Sequence, residues 1–153
     1  MLRIFRAIFL KQLNSWKILL FEYLEKRKVW LVYVPLIVYW LILFIATTLP
    51  AERLPSVGFS DKINHFIAYF VLAVLVNLTL IYQRKSRFLF EKAQITTAVI
   101  CLFYGALDEL HQLLVPGRSA ETWDWVADAL GAFTGVLIVY FLISRLRYSL
   151  EFD

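Results

Sequence analysis

The sequence predicts an all-α, polytopic membrane protein: a four-transmembrane-helix bundle preceded by an N-terminal amphipathic interfacial helix. Three observations carry that prediction. Hydrophobic residues make up 61% of the chain and mean hydropathy is +0.68, too apolar for an ordinary soluble domain. Four apolar stretches are long enough to cross a hydrocarbon core of about 30 Å at about 1.5 Å per residue. Basic residues concentrate in alternate connections between them.

Residues 1–29 read as the interfacial helix. Ile4, Phe5, Ile8, Phe9, Leu13 and Trp16 recur at helical spacing, with Arg3, Arg6, Lys11 and Lys17 among them. No uncharged run there is long enough for a signal-peptide core, and no small-residue cleavage site follows. Such a helix is held at the inner surface by anionic lipid and apolar burial, and its expected role is anchoring or docking.

Residues 30–143 form the transmembrane domain. The first span, 30–49, carries no charge, and Pro35 near its start is expected to bend it slightly. The second, 63–82, is interrupted by Asn64, His65 and Asn77. The third, 93–114, is apolar to Leu107 and polar in its last two turns. The fourth, 126–143, holds Asp128 in its first turn. Pro50, Pro55, Gly58 and the Pro116-Gly117 pair mark the loops after spans one and three. Residues 144–153 are left as a short tail.

Charge distribution orients the bundle. With the N-terminus inside, the inner segments hold Arg3, Arg6, Lys11, Lys17, Lys26, Arg27, Lys28, Arg84, Lys85, Arg87, Lys92, Arg145 and Arg147. The outer loops hold Arg53, Lys62 and Arg118. This asymmetry predicts that both termini are cytoplasmic, in a multi-pass protein of a bacterial inner membrane. Two polar clusters, 61–65 and 108–128, then share the outer side and are able to form one site there.

Other classes fall away. No Lys/Arg patch with interleaved stacking aromatics stands outside the juxtamembrane segments, so nucleic acid is not an expected partner. The single cysteine, Cys101, lies inside an apolar run, which rules out an intramolecular disulfide and disfavours a thiolate nucleophile. Ser60 and Ser119 have no evident His partner. Four spans with their charged groups at one end give a transporter no path through the inner half unless the protein oligomerises. The bilayer is the one partner the composition requires.

The candidate site is built span by span. Asp61, His65 and Tyr69 recur every four residues, forming one stripe on span two. Asp61 alone reads equally as a helix-start acid. His65 has no such alternative, and Asp61 is the expected partner that orients it. On span three, Glu109 is the expected inward acid, steadied by Gln112, while Asp108 faces headgroups. His111 and Gln112 point about 100° apart, so at most one joins. The turn at Pro116-Gly117 folds Arg118 over the helix ends, where its fork suits a carboxylate or phosphate. Its simpler roles are pairing with Asp124 or with lipid headgroups. Asp124 and Asp128 begin span four beside Trp123 and Trp125, which read as an interfacial belt. Gly131 and Gly135 permit close approach of another helix, for which Gly105 on span three is the expected contact. That packing brings Glu109 and Asp128 together.

These motifs resemble the VanZ-like membrane protein family. The resemblance rests on Asp61-Lys62-x-x-His65-x-x-x-Tyr69, Glu109-x-x-Gln112, Pro116-Gly117-Arg118 and Asp124-x-x-x-Asp128-x-x-Gly131-x-x-x-Gly135, in the family's order. It covers roughly residues 35–140 and leaves the N-terminal helix outside. One departure is Asp128, where the family usually shows Asn; an acid there bears on metal or proton affinity. The resemblance implies a small bacterial multi-helix membrane protein and, through the family's namesake, a link to low-level teicoplanin resistance. It implies no settled biochemical activity.

Two readings of function follow. In the first, the chain is an intramembrane acid/base enzyme acting at the outer leaflet on a lipid or lipid-linked envelope precursor. His65, oriented by Asp61, and Glu109 are its candidate catalytic groups; Tyr69, Gln112, Arg118, Asp124 and Asp128 bind substrate. In the second, a non-catalytic, envelope-modulating protein uses the same residues to bind a headgroup or to hold its helices together. A divalent metal is a weaker third option. His65, Glu109, His111 and Asp128 are suitable ligand types, yet no His-Glu-x-x-His spacing occurs, so the sequence itself indicates no metal or other cofactor.

Overall fold

The computed structural model describes residues 19, 22–50, 60–83 and 86–150, with side chains to residue 143. Most of the expected interfacial helix lies outside the described residues. The described chain forms helices and no strand. We label these α1 (Val29–Thr48), α2 (Asp61–Ile81), α3 (Arg87–Glu91), α4 (Ala93–Gln112) and α5 (Thr122–Leu150). Four of them, α1, α2, α4 and the Thr122–Ile143 part of α5, are long and apolar enough to cross a membrane.

Proline shapes the start of α1. Its first turn, Val29–Tyr33, is π-helical, and the α-helical part begins at Val34 with Pro35 in its first turn. The ring cannot supply an N–H to the preceding turn, so the widened turn removes the demand for one. Leu49 turns extended, and Pro50 follows. The short helix α3 was not foreseen. Its N-cap Ser86 accepts the Leu89 N–H at 3.4 Å, and Arg87 and Glu91 pair at 2.6 Å.

The bundle is organised around α2 and α5. Where the sequence pointed to span three as the partner of Gly131 and Gly135, these glycines instead receive the backbone of α2. A Cβ on Gly131 would overlap the Phe66 carbonyl oxygen, and one on Gly135 would lie 2.7 Å from the Phe70 oxygen. Only hydrogen fits at those two positions. Gly105 performs a different task, since its open face admits Asp128, Trp125 and Tyr69. Leu72, Ala73, Val76, Cys101, Ala132 and Val139 fill the shared core.

Helix α1 is peripheral. Its span is 11% buried, against 33–39% for the other three, so its outer face is lipid-facing by composition. Specific contacts hold it. The Tyr39 hydroxyl donates to the Ala68 carbonyl at 2.9 Å, and Trp40 meets Tyr104 edge-on at 5.3 Å. At the far end, α5 continues as helix to Leu150, so the tail expected from 144 begins as helix. The C-terminal ends of α1 and α4 and the N-terminal ends of α2 and α5 meet at one end of the bundle.

Candidate functional site

That shared end gathers the ionisable residues. His65 lies one turn into α2, about 6 Å from its start, and Asp128 lies about 9 Å into α5. His65 Nδ1 stands 3.0 Å from Asp128 Oδ1, both side chains buried, so the imidazole N–H donates to the carboxylate. This corrects the assignment of the orienting acid. Asp61 is the exposed first residue of α2, while Asp128, from a different helix, meets the ring. Asp61 remains nearby, forming with His65 and Asp124 a group whose ligand atoms lie within 4.8 Å of one another.

Both acids of α4 point inward, contrary to the expectation that Asp108 faces headgroups. Asp108 and Glu109 are 6% and 7% exposed. Adjacent helical residues diverge by about 100°, and here the two directions lead to different neighbours. Asp108 turns towards α1 and α2, where the Tyr69 hydroxyl donates to it over 3.5 Å. Glu109 turns towards α5. Its Oε2 accepts the Glu121 backbone N–H at 2.8 Å, an acid placed at the positive end of that helix. Its Oε1 lies 4.0 Å from His65 Nδ1. The expected closeness of Glu109 and Asp128 is therefore present, brought about by α2 and α5 clasping rather than by Gly105 meeting Gly131.

Gln112 and not His111 joins the cluster, and it serves Arg118 rather than Glu109. The Arg118 fork donates to Gln112 Oε1 at 3.3 Å, to the Leu49 carbonyl at 3.3 Å and to the Ala46 carbonyl at 3.0 Å. Carbonyls at a helix C-terminus lack intrahelical donors and carry partial negative charge, so this arginine closes the end of α1. His111 sits aside, 3.3 Å from Thr48 Oγ1 and tilted against Phe44.

Lys62 is the residue the sequence reading passed over. Its ammonium lies 2.6 Å from Glu121 and 2.7 Å from the buried Asp124, tying the starts of α2 and α5. Its position one residue after Asp61 was visible; its partners, some sixty residues on, were not. The two tryptophans also part company. Trp123 is 68% exposed and suits the interfacial belt, whereas Trp125 donates from Nε1 to the Leu102 carbonyl at 3.1 Å inside the bundle.

A cavity of about 520 Å³ opens beside the cluster, between α1, α2 and α4. Asp61, His65, Asp108, Gln112 and Arg118 line its polar end, with Thr47 of α1 and Tyr69 of α2. Tyr39, Leu43, Ala46, Ile67 and Ala68 line the rest. It is large enough for a headgroup and the first part of a chain. Glu109, Asp124 and Asp128 stand behind it, on the α5 side.

The VanZ/LLP1 family model matches residues 4–144 of this sequence. The chain belongs to the VanZ/LLP1 family. The match takes in nearly the whole chain, including most of the N-terminal segment that the resemblance had left outside. VanZ/LLP1 membership and four membrane-length helices agree on a multi-pass membrane protein. No curated protein and no solved structure is significantly similar to the chain.

Proposed function

We propose that this VanZ/LLP1 protein binds an amphiphile at the outer leaflet of a bacterial cytoplasmic membrane and carries out acid/base chemistry on its headgroup. The amphiphile is a lipid, a lipid-linked envelope precursor or a lipoglycopeptide; the last would connect the fold to teicoplanin resistance. One observation carries this reading: a single cavity has ionisable residues at one end and apolar walls along α1 and α2. Ile67, one of its lining residues, is 46% exposed on a membrane-spanning helix. An amphiphile has the same division.

In this reading the hydrogen bond that Nδ1–H donates to Asp128 holds the His65 ring and leaves Nε2 to move a proton. Asp108, Tyr69 and Gln112 contact the headgroup. Arg118 contributes positive potential while its N–H groups stay on α1 and Gln112. The positive-inside preference supports the outward orientation, since thirteen of the sixteen basic residues fall in the sequence segments assigned to the opposite side.

A specific observation supports the second, non-catalytic reading. Both lysine and arginine at the site are engaged in fastening helices. A protein that only holds a headgroup needs no more than that frame.

Mass spectrometry separates the two. Purified wild type, His65→Gln and Glu109→Gln are incubated with bacterial lipid and lipid-linked wall precursors. A new product made by wild type and missing from both folded variants supports catalysis. Co-purified amphiphile without turnover supports binding. A wild type that neither converts nor retains any amphiphile overturns both.

A further inference from the structure

Three carboxyl side chains, Asp108, Glu109 and Asp128, surround His65 and are each more than nine-tenths buried. Among the described residues, the fixed cations nearby are engaged elsewhere. Lys62 serves Glu121 and Asp124, and Arg118 serves two carbonyls and Gln112. Three buried acids therefore share one imidazole, and ionised carboxylates in an apolar interior are costly without a positive partner.

A second, independent observation narrows the place. Glu109 Oε1 and Asp128 Oδ2 are buried and accept no hydrogen bond from the described residues, although each carboxylate's other oxygen is satisfied. Glu109 Oε1 is the oxygen that points to His65 Nδ1, 4.0 Å away. Buried acceptors of this kind call for a cation or a donor.

We propose that His65, Glu109 and Asp128 bind a divalent transition-metal ion. One ligand atom from each lies within 4.8 Å of the other two, and all three residues are buried. The 3.0 Å between His65 Nδ1 and Asp128 Oδ1 matches two ligands about 90° apart on bonds of about 2.1 Å, the ion taking the place of the Nδ1 proton, which is released. The 4.0 Å gap to Glu109 closes by a small rotation of its carboxylate. One imidazole with two carboxylates suits Mn²⁺ or Zn²⁺ better than Ca²⁺. The neighbouring group of Asp61, His65 and Asp124 is set aside, because the Lys62 ammonium already neutralises Asp124. The proposal does not depend on what fills the cavity.

Chelator-stripped wild type in detergent is loaded with Mn²⁺ or Zn²⁺ and desalted, and bound metal per chain is measured. About one ion per chain is expected, with at least tenfold weaker affinity in Glu109→Gln and Asp128→Asn. Glu91→Gln, at the other end of the bundle, retains wild-type binding. Electron paramagnetic resonance of the Mn²⁺ form shows a nitrogen coupling that His65→Gln removes. The wild-type protein also decides the matter without any variant, since a bound ion raises its Tm with metal concentration. A wild type that holds no near-stoichiometric ion and shows no such rise overturns the proposal. So do Glu109→Gln and Asp128→Asn proteins that bind as tightly as wild type.

Discussion

Two acids compete, at the residue scale, for the role of orienting His65, and substitution tells them apart. Asp128 is 1% exposed and bonded to Nδ1, whereas Asp61 is exposed at a helix start. Asp128→Asn keeps the side chain's volume next to Gly105, so the fold is expected to lose no more than about 2 kcal/mol. Amphiphile turnover or retention is expected to fall at least tenfold. Asp61→Asn is expected to change either by less than threefold, in the same mass-spectrometric assay. The reverse pattern would return the role to Asp61. The contrast also shows what was legible. Residue types and their spacing singled out His65, Glu109, Gln112 and Asp128 from one line of text. Periodicity on one helix proposed Asp61 as partner because a stripe at every fourth residue is an intrahelical fact. The actual partner lies 63 residues away, and no local pattern encodes that distance.

At the scale of the element, the decisive feature is how closely α5 lies on α2. The sequence showed that Gly131 and Gly135 permit close approach, and not which helix would come. Gly131→Ala sets a methyl against the Phe66 carbonyl, a backbone atom that no rotamer change can move. Overpacking of this kind costs about 1–3 kcal/mol, and the upper part of that range is expected here. A lowered denaturant midpoint in micelles would report it. Gly117→Ala is the useful contrast. Its φ of 77° strains an L-residue, yet no atom lies within reach of the new methyl, so a loss of about 1 kcal/mol is expected. Arg118 belongs to this scale as well. Its fork ties the last turn of α1 to the loop after α4, and α1 has little other burial to hold it. Arg118→Lys cannot reproduce three donors in one plane. Hydrogen exchange at the C-terminal end of α1 is expected to rise in that variant while exchange in α2 and α5 stays near wild type. Uniform acceleration across all helices would instead make Arg118 a support of the whole bundle.

Among the described residues, the buried ionisable groups of this apolar bundle gather at one end, and its orientation decides what that end meets. In the orientation that the charge count predicts, only Arg53, Lys62 and Arg118 are outward and oppose the cytoplasmic preference of Lys and Arg. Two of those three are also neutralised in the fold, Lys62 by acids and Arg118 by helix-end carbonyls. The opposing signal is thus weaker than the count suggests. Single-cysteine labelling in intact cells tests the outcome, on a Cys101→Ser background to remove the buried native thiol. Ser119 and Lys92 are exposed and belong to opposite ends. A membrane-impermeant maleimide is expected to label Ser119→Cys directly, and Lys92→Cys only after permeabilisation. That result would place His65 and its acids about 6–9 Å from the outer ends of their helices, within reach of outer-leaflet headgroups and closed to cytosolic ones. The opposite labelling pattern would put the same cavity in contact with the cytoplasmic leaflet, and lipid-linked precursors displayed outside would cease to be candidates for it.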